Sequence, residues 1–443
     1  MRLLNLSLPT LPQATTCTVP RLPYILPCLL LPLLLAIAAP TSAAGVDDDN
    51  NALSLADAAP VVKQVVSPWR VSTEASLGRR RQRYGVNDFN IGRLSLDAYY
   101  DGVLAPGWRL VFSDRLDRYV ASDNTRSRTV NTLKEAYVSW HPPGDNIFDA
   151  GRVNARYGVG FGYNPTDFFR SNSIRSVVSI DPNSLRENRL GTVMLRGQTL
   201  LPGGSVSAIF APRIENTRSN APFSPDFGAT NNRARWMLTA SPTFSETFNP
   251  QFLLFGGAGH SPQGGVNLSA LLNQATVGYV EWAGGSSATL YDRSRGVAGR
   301  EAFRQRLATG LTYTTTTKMS LTGEYEYNGA GLNRDQWNTL GPTSLSSYFG
   351  YRNLVQDQLE LPTRSALFFY GTWQDALVNH LDLRAMVRYN LADRSRLNWI
   401  EARYHFTHAD LSLQLQHNGG NAFSEYGALP DRQVIQAVLT YYF

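Results

Sequence analysis

Cysteine and lysine are almost missing from this sequence of 443 residues. Cysteine occurs only as Cys17 and Cys28. Both fall in an N-terminal leader, so the chain beyond it has no disulfide and no thiolate metal site. Lysine occurs only at Lys63, Lys134 and Lys318, which makes 38 of the 41 basic residues arginine. Beyond the leader, no apolar run approaches the ~18 residues that a membrane-spanning helix needs. One-sided charge is also missing. Without Arg2 and Arg21 the chain carries 39 basic and 35 acidic residues, with no basic tail or basic helix, which excludes a nucleic-acid partner. The six histidines (His141, His260, His380, His405, His408 and His417) include no pair at metal-ligand spacing. They suggest no Ser/His/Asp arrangement either, so the reading is of a protein that is not an enzyme and needs no cofactor or metal.

What is present begins with the leader. In "ILPCLLLPLLLAIAAPTSAAG" an apolar run from Ile25 to Ala39 is followed by the small residues Thr41, Ser42, Ala43 and Ala44. Arg2 and Arg21 precede it and no acid does. This predicts a secretory signal peptide over residues 1–43, removed by Sec-type export, and a periplasmic N-terminal tail over 44–67.

From residue 68 to 443 one rhythm takes over, and it predicts a single transmembrane β-barrel domain. "LSLDAYY" sets Leu94, Leu96, Ala98 and Tyr100 against Ser95, Asp97 and Tyr99. "LDLRAMVRYN" sets Leu381, Leu383, Ala385, Val387 and Tyr389 against Asp382, Arg384, Met386, Arg388 and Asn390. "IEARYHF" and "LSLQLQ" repeat the pattern. Aliphatic and aromatic residues on one face, with charges mid-strand on the other, mark strands that face lipid outward and a wet lumen inward. On that reading Met386 points into water. The connections alternate short ("LAPG", "HPPGD", "LPGG", "GGS", "TTTTK", "DALVNH", "THAD", and a turn near Ser245) and long. A large soluble sandwich would have no such asymmetry. The fold class is therefore all-β, an antiparallel up-and-down transmembrane barrel of about 18 strands, or 16 if one hairpin merges. The ninth to twelfth strands are expected to start near Pro250, Ala275, Ser286 and Phe303.

The chain closes on "IQAVLTYYF", in which Ile435, Ala437, Leu439, Tyr441 and Phe443 share one face. A strand that stops flush on an aromatic is explained if it pairs on both sides and closes the barrel against the first strand near Trp69–Leu77. Here the chain resembles the bacterial outer-membrane porins of Gram-negative cells. The resemblance implies that Tyr441 and Phe443 form the signal read by the barrel-assembly machinery. It implies outer-membrane lipid as the surroundings, and it allows a homotrimer or a monomer.

The resemblance also implies that the third long loop, "YGVGFGYNPTDFFRSNSIRSVVSIDPNSLRENRL" (157–190), folds inward to constrict the lumen. Gly158, Gly160 and Gly162 would let its backbone turn sharply, and "NPTDFF" reads as a turn with an aromatic foot. A loop packed on the outer rim is the alternative. By alternation Arg93, Arg109, Arg152, Arg156, Arg196, Arg384, Arg388 and Arg403 face the lumen. They are joined in the loop by Arg170, Arg175, Arg186 and Arg189, which face Asp181 and Glu187, with Asp167 just before them. Glu281, Glu324 and Glu326 place acids around the thirteenth strand. An arginine ladder facing acids would favour anions, because guanidinium groups bind carboxylates and phosphates at two points. Equally, such pairs could neutralise each other. The resulting expectation is ion and small-solute transport: passive diffusion of small polar, anionic solutes past loop 157–190. An exporter of an anionic polymer and a non-conducting surface-interaction barrel are the alternatives.

Overall fold

The computed structural model describes residues 67–84, 88–120, 127–245 and 247–443. The signal peptide and all but the last residue of the expected tail lie outside these. Eighteen strands form one sheet. The first nine are β1 (Trp69–Gln82), β2 (Phe89–Ala105), β3 (Trp108–Val120), β4 (Arg128–Trp140), β5 (Asn146–Val153), β6 (Thr192–Leu201), β7 (Gly204–Ala211), β8 (Arg235–Pro242) and β9 (Phe248–Gly257). The second nine are β10 (His260–Asn273), β11 (Thr276–Ser287), β12 (Ala302–Thr314), β13 (Met319–Asn328), β14 (Ser365–Trp373), β15 (Leu381–Asn390), β16 (Arg396–His405), β17 (Ala409–Gly419) and β18 (Asp431–Tyr442). Each strand pairs antiparallel with its sequence neighbours, and β18 returns to β1 with Ser72 opposite Tyr442 and Leu77 opposite Ala437. The sheet is a closed barrel with no free edge, which is how a spanning β-structure satisfies its backbone in lipid.

Connections at one end are short. At the other they include L3 (154–191), L4 (212–234), L6 (288–301), L7 (329–364) and L9 (420–430). These carry the helices α1 (Pro182–Glu187), α2 (Phe227–Thr230), α3 (Leu290–Ser294), α4 (Arg334–Thr343) and α5 (Leu345–Gln358). The outward face is apolar: Leu94, Leu96, Ile400 and Leu413 are exposed, while Arg93, Ser95, Glu401 and Ser412 between them are buried. Near the short-turn end, outward rings stack in sequence, Trp108 on Trp140 and Trp140 on Phe148, with centroids 5.7 and 5.5 Å apart. Tyr441 and Phe443 make an edge contact at 5.0 Å, and the Phe443 N–H donates to the Val71 carbonyl at 3.0 Å. An aromatic belt of this kind suits the membrane–water boundary.

Eighteen strands is the expected number, but one expected strand is absent and another takes its place. No strand starts at Ser286; Ser286 and Ser287 end β11, and "GGS" lies inside that strand rather than in a turn. The strand that sequence reasoning missed is β10, joined to β9 by the two-residue turn Ala258–Gly259, where Gly259 has φ +77°. "FGGAGHSPQGGV" has the composition of a loop. In the barrel its glycines are the small partners of large rings: a Cβ on Gly256 would run into the Trp236 indole. Pro262 is tolerated because the β9–β10 register shifts between His260 and Gln263, a bulge.

Met386 corrects a second expectation. It points inward, but it is 1 % exposed and packs with Phe368, Leu397, Trp399 and Tyr426. That part of the interior is walled by apolar side chains. Arginine at outward Leu383 is expected to destabilise the refolded barrel by ~2–4 kcal/mol, the cost of a charge facing mid-bilayer. Arginine at Met386 is expected to cost at least as much, because it strands a charge among aromatic rings. Urea unfolding in lipid vesicles measures both, and an unaffected Leu383→Arg barrel would contradict the outward assignment.

Candidate functional site

L3 leaves β5 at the height of the barrel interior and stays inside it. Val159, Tyr163, Phe168, Phe169 and Leu190 are all buried. Two wall carboxylates hold its first half. Glu281 of β11 accepts the backbone N–H groups of Val159, Gly160 and Thr166 at 2.8, 2.9 and 2.8 Å. Glu324 of β13 accepts those of Phe161, Gly162 and Tyr163 at 2.7, 3.1 and 2.9 Å, together with the Tyr279 hydroxyl at 2.7 Å. Each carboxylate is thus paid in charge-assisted hydrogen bonds for its burial, and six loop amides gain acceptors they would otherwise lack. Gly158 serves turning, at φ +97°, as well as closeness, while Gly160 and Gly162 serve closeness. A Cβ on Gly158 would overlap the Glu281 carboxylate, and one on Gly162 would overlap Glu326 and the Phe368 ring.

The rest of the loop is pinned in turn. Phe168 stacks flat on Phe255 of β9 at 4.5 Å, and Phe169 meets the same ring edge-on at 5.9 Å. This aromatic foot sits in a core with Met194, Ile209, Met237 and Leu253. Arg189 pairs with Asp167 at 2.7 Å and donates to Asn154 Oδ1 and the Ala155 carbonyl at 2.8 and 2.9 Å, so one guanidinium ties both ends of the loop together. Arg170 pairs with Glu360 of L7 at 2.7 Å. Burial alone would raise the Glu360 carboxyl, but Arg170 and Arg306 outweigh it and hold it below its ordinary value. Arg175 donates to the carbonyls of Asn131 and Ala221 at 2.9 Å each, binding L3 to L4, and burial lowers its pKa. Asp181 caps α1 by accepting from Asn183 and Ser184 N–H at 2.9 and 3.2 Å, and also accepts from the Tyr370 hydroxyl at 2.6 Å.

The loop divides the lumen beside it into two chambers. The inner one, toward the short turns, has a volume of about 420 Å³ and is lined by polar side chains of β1–β3 and β15–β18. The outer one, about 340 Å³, lies between L3, L7 and L9, with apolar walls that include Phe161, Ile180, Leu185, Val355, Met386 and Tyr426. Arg186, on α1, lines both. Its Nη2 donates to the Tyr157 carbonyl at 3.3 Å, and burial holds its pKa below the usual guanidinium value.

The structure distributes the candidate residues unevenly. Arg93, Arg156, Arg384 and Arg403 line the inner chamber. Arg93 is paired there with Glu74, and Arg403 with Glu401 at 3.1 Å. Arg156 is exposed into it. Arg388, Asp167 and Arg170 line the outer chamber, Arg388 donating to the Gly162 carbonyl at 3.1 Å. Arg109, Arg152, Arg175 and Arg196 line neither: Arg109 pairs with Asp101, Arg196 with Asp149 at 2.6 Å, and Arg152 lies 5.0 Å over the Phe227 ring. Among the described residues, no carboxylate stands within ion-pair distance of Arg156 or Arg186. The acids near β13 were expected to face the arginines across the lumen; Glu281 and Glu324 instead hold the loop backbone. Their inward register was readable, but their meeting with amides more than 100 residues away in the chain carried no sequence signal.

No family model and no curated protein sequence matches the chain. Solved structures do match its fold. Acinetobacter baumannii OccAB1 superposes with a TM-score of 0.55 at 10% identity, over 85% of this chain and 96% of that one. Pseudomonas aeruginosa OccK5 (OpdH) and the P. aeruginosa outer membrane protein OpdK each give 0.51, at 10% and 8% identity, over 85% of this chain and 98% of theirs. The chain has the porin-like barrel architecture of bacterial outer-membrane proteins.

Replacing both Glu281 and Glu324 with alanine leaves six loop amides without these acceptors, four of them on buried residues, at a cost of ~1–3 kcal/mol for each buried unsatisfied group. The expected outcome is a barrel that still forms but whose loop is cut by chymotrypsin near Phe161–Phe169 at least tenfold faster, roughly what ~1.4 kcal/mol of lost protection gives. An uncut loop in the double variant would show that the aromatic foot holds it alone.

Proposed function

We propose that this barrel is a passive channel of the outer membrane for small polar solutes, with loop 157–190 as its constriction and a preference for anions. One observation carries the reading: a loop anchored inside the lumen separates two solvent-sized chambers, and a cationic side chain, Arg186, borders both. A barrel of 18 strands is wide enough to need such a filling if it is to discriminate at all. Arg156 and Arg186 add fixed positive charge where the passage narrows, which raises the local concentration of anions. The inner chamber also holds Glu74, Asp181, Glu187, Glu401 and Asp410, so most of its other arginines are balanced. The proposed preference therefore rests on Arg156 and Arg186 more than on Arg170 or Arg175, which face the carboxylates of Glu360 and Asp226.

Single-channel recording in planar bilayers tests the reading. Deleting Ser171–Asn183 is expected to raise conductance, since it removes the segment after the aromatic foot together with the cap and first two residues of α1. Arg156→Gln with Arg186→Gln is expected to leave conductance nearly unchanged while moving the reversal potential toward cations. That shift shrinks in strong salt, because the Debye length falls from ~10 Å at 0.1 M to ~3 Å at 1 M. A barrel without conductance, before and after the deletion, would favour the non-conducting surface-interaction reading.

The carboxy-terminal aromatics are proposed to serve assembly. Deleting Phe443 removes the Tyr441 ring contact and the hydrogen bond to Val71 while leaving most of β18 paired. Less heat-modifiable barrel is expected in outer-membrane fractions, and a normal yield would rule out the signal role.

A further inference from the structure

On the wall facing away from the inner chamber, a third cavity of about 200 Å³ opens at the long-loop end, between the outer parts of β9–β12 and loops L3, L4, L6 and L7. Its rim at Gly259 and Glu301 is exposed. Five guanidinium groups line it, those of Arg170, Arg233, Arg293, Arg304 and Arg306. Only three acids do, and two of them are committed to arginines. Asp167 belongs to Arg189, Glu301 accepts from the Ser261 hydroxyl at 3.2 Å, and Glu360 is shared by Arg170 and Arg306 at 2.7 and 2.8 Å.

Arg293 and Arg304 are held by neutral acceptors instead. Arg293 Nη2 donates to Gln358 Oε1 at 2.7 Å; Arg304 Nε and Nη1 donate to the Ser287 and Gly329 carbonyls at 3.0 and 3.3 Å. Such bonds fix a guanidinium in place without cancelling its charge. Nη1 of Arg170, on a side chain 6% exposed, has no hydrogen-bond partner among the described residues. Burial holds Arg293 below the ordinary guanidinium pKa, with Arg306 adding to the effect and Glu360 opposing it. Arg233 is lowered by burial and then by Arg293. Like charges crowded together under partial burial carry a cost that a multivalent anion among them would relieve.

We propose that this cavity binds a phosphate-type oxyanion, either inorganic phosphate or the phosphate group of a larger molecule. A carboxylate would engage one guanidinium fork, whereas a phosphate offers oxygens to several at once and carries the charge that several cations need. The cavity lies at the outer mouth and shares Asp167, Arg170 and Glu360 with the outer chamber. Arg233, Arg293, Arg304 and Arg306 line neither chamber and so lie outside the proposed passage. A soluble phosphate could enter over the Gly259 rim, and so could the phosphate of a surface glycolipid.

The test is isothermal titration calorimetry of the full barrel in detergent, with inorganic phosphate against chloride at matched ionic strength. Saturable phosphate binding is expected, and Arg293→Gln with Arg304→Gln should weaken it by roughly tenfold or more. Lys318→Gln, which removes a charge at the short-turn end, should leave it unchanged. Arg304→Lys keeps the charge and loses the fork, so it should fall between wild type and the double variant; it also covers the case of a double variant that does not fold. A second arm adds bis-phosphorylated glycolipid, or its dephosphorylated form, to the micelles. Binding of inorganic phosphate alone assigns the site to a soluble ligand, and binding only of the phosphorylated lipid assigns it to a headgroup. Binding of neither, or phosphate binding unchanged in folded Arg293→Gln/Arg304→Gln barrel, overturns the proposal.

Discussion

Glu281 and Glu324 each accept three backbone N–H groups from one short stretch of L3, and the arrangement of the interior follows from that contact. A barrel of this circumference has too few inward side chains to fill itself. Something must enter, and an entering loop brings unpaired amides into a space where water is scarce. Wall carboxylates solve both difficulties, because a buried carboxylate needs donors as much as a buried amide needs an acceptor. Once residues 159–166 are fixed, Phe168 and Phe169 fall onto Phe255 and α1 comes to lie between the two chambers. The close approach leaves no room for side chains at Gly158 or Gly162.

The scarcity of lysine belongs to the same economy of space. Guanidinium groups make several directed bonds at once, and the interior uses them as ties. Arg189 reaches Asn154, Ala155 and Asp167; Arg170 reaches Glu360 and Arg175 reaches L4. On the wall, Arg115 joins Glu74, Asp97 and Asp117, while Lys134, buried among them, takes Asp97 at 2.7 Å. A buried ion pair contributes little net stability, since desolvation offsets most of its attraction. What it does give is register, because losing either partner strands the other's charge. Many inward arginines are accounted for in this way, but several have no ion pair among the described residues. Arg152 lies over Phe227, Arg235 and Arg388 donate to carbonyls, and Arg156, Arg186, Arg293 and Arg304 line cavities.

The outward face was legible from the sequence alone, since lipid imposes one rule on every strand and Leu94, Ile400 and Leu413 obey it. Strand number and closure followed from counting turns and from "YYF". The exchange of β10 for a strand at Ser286 came from reading glycine as punctuation; Gly256 and Gly284 lie in strands because neighbouring indole and phenyl rings take their space. The interior was less legible because alternation reports which way a side chain points and not what it meets. Met386 and Arg384 both point inward two residues apart, yet one is packed among rings and the other lines a polar chamber. The loop's position could be expected from its place after β5, but its anchors sit on strands formed much later in the chain.

Amide hydrogen exchange in native outer membranes tests the central claim most directly. If Glu281 and Glu324 hold L3 across the lumen, the amides of Val159–Tyr163 and Thr166 exchange as slowly as those of β11 and β13, although they lie in a loop. Exchange of those six amides at the rate of the exposed turn residues Thr316 and Thr317 would contradict the account, since it would leave the loop without its anchors.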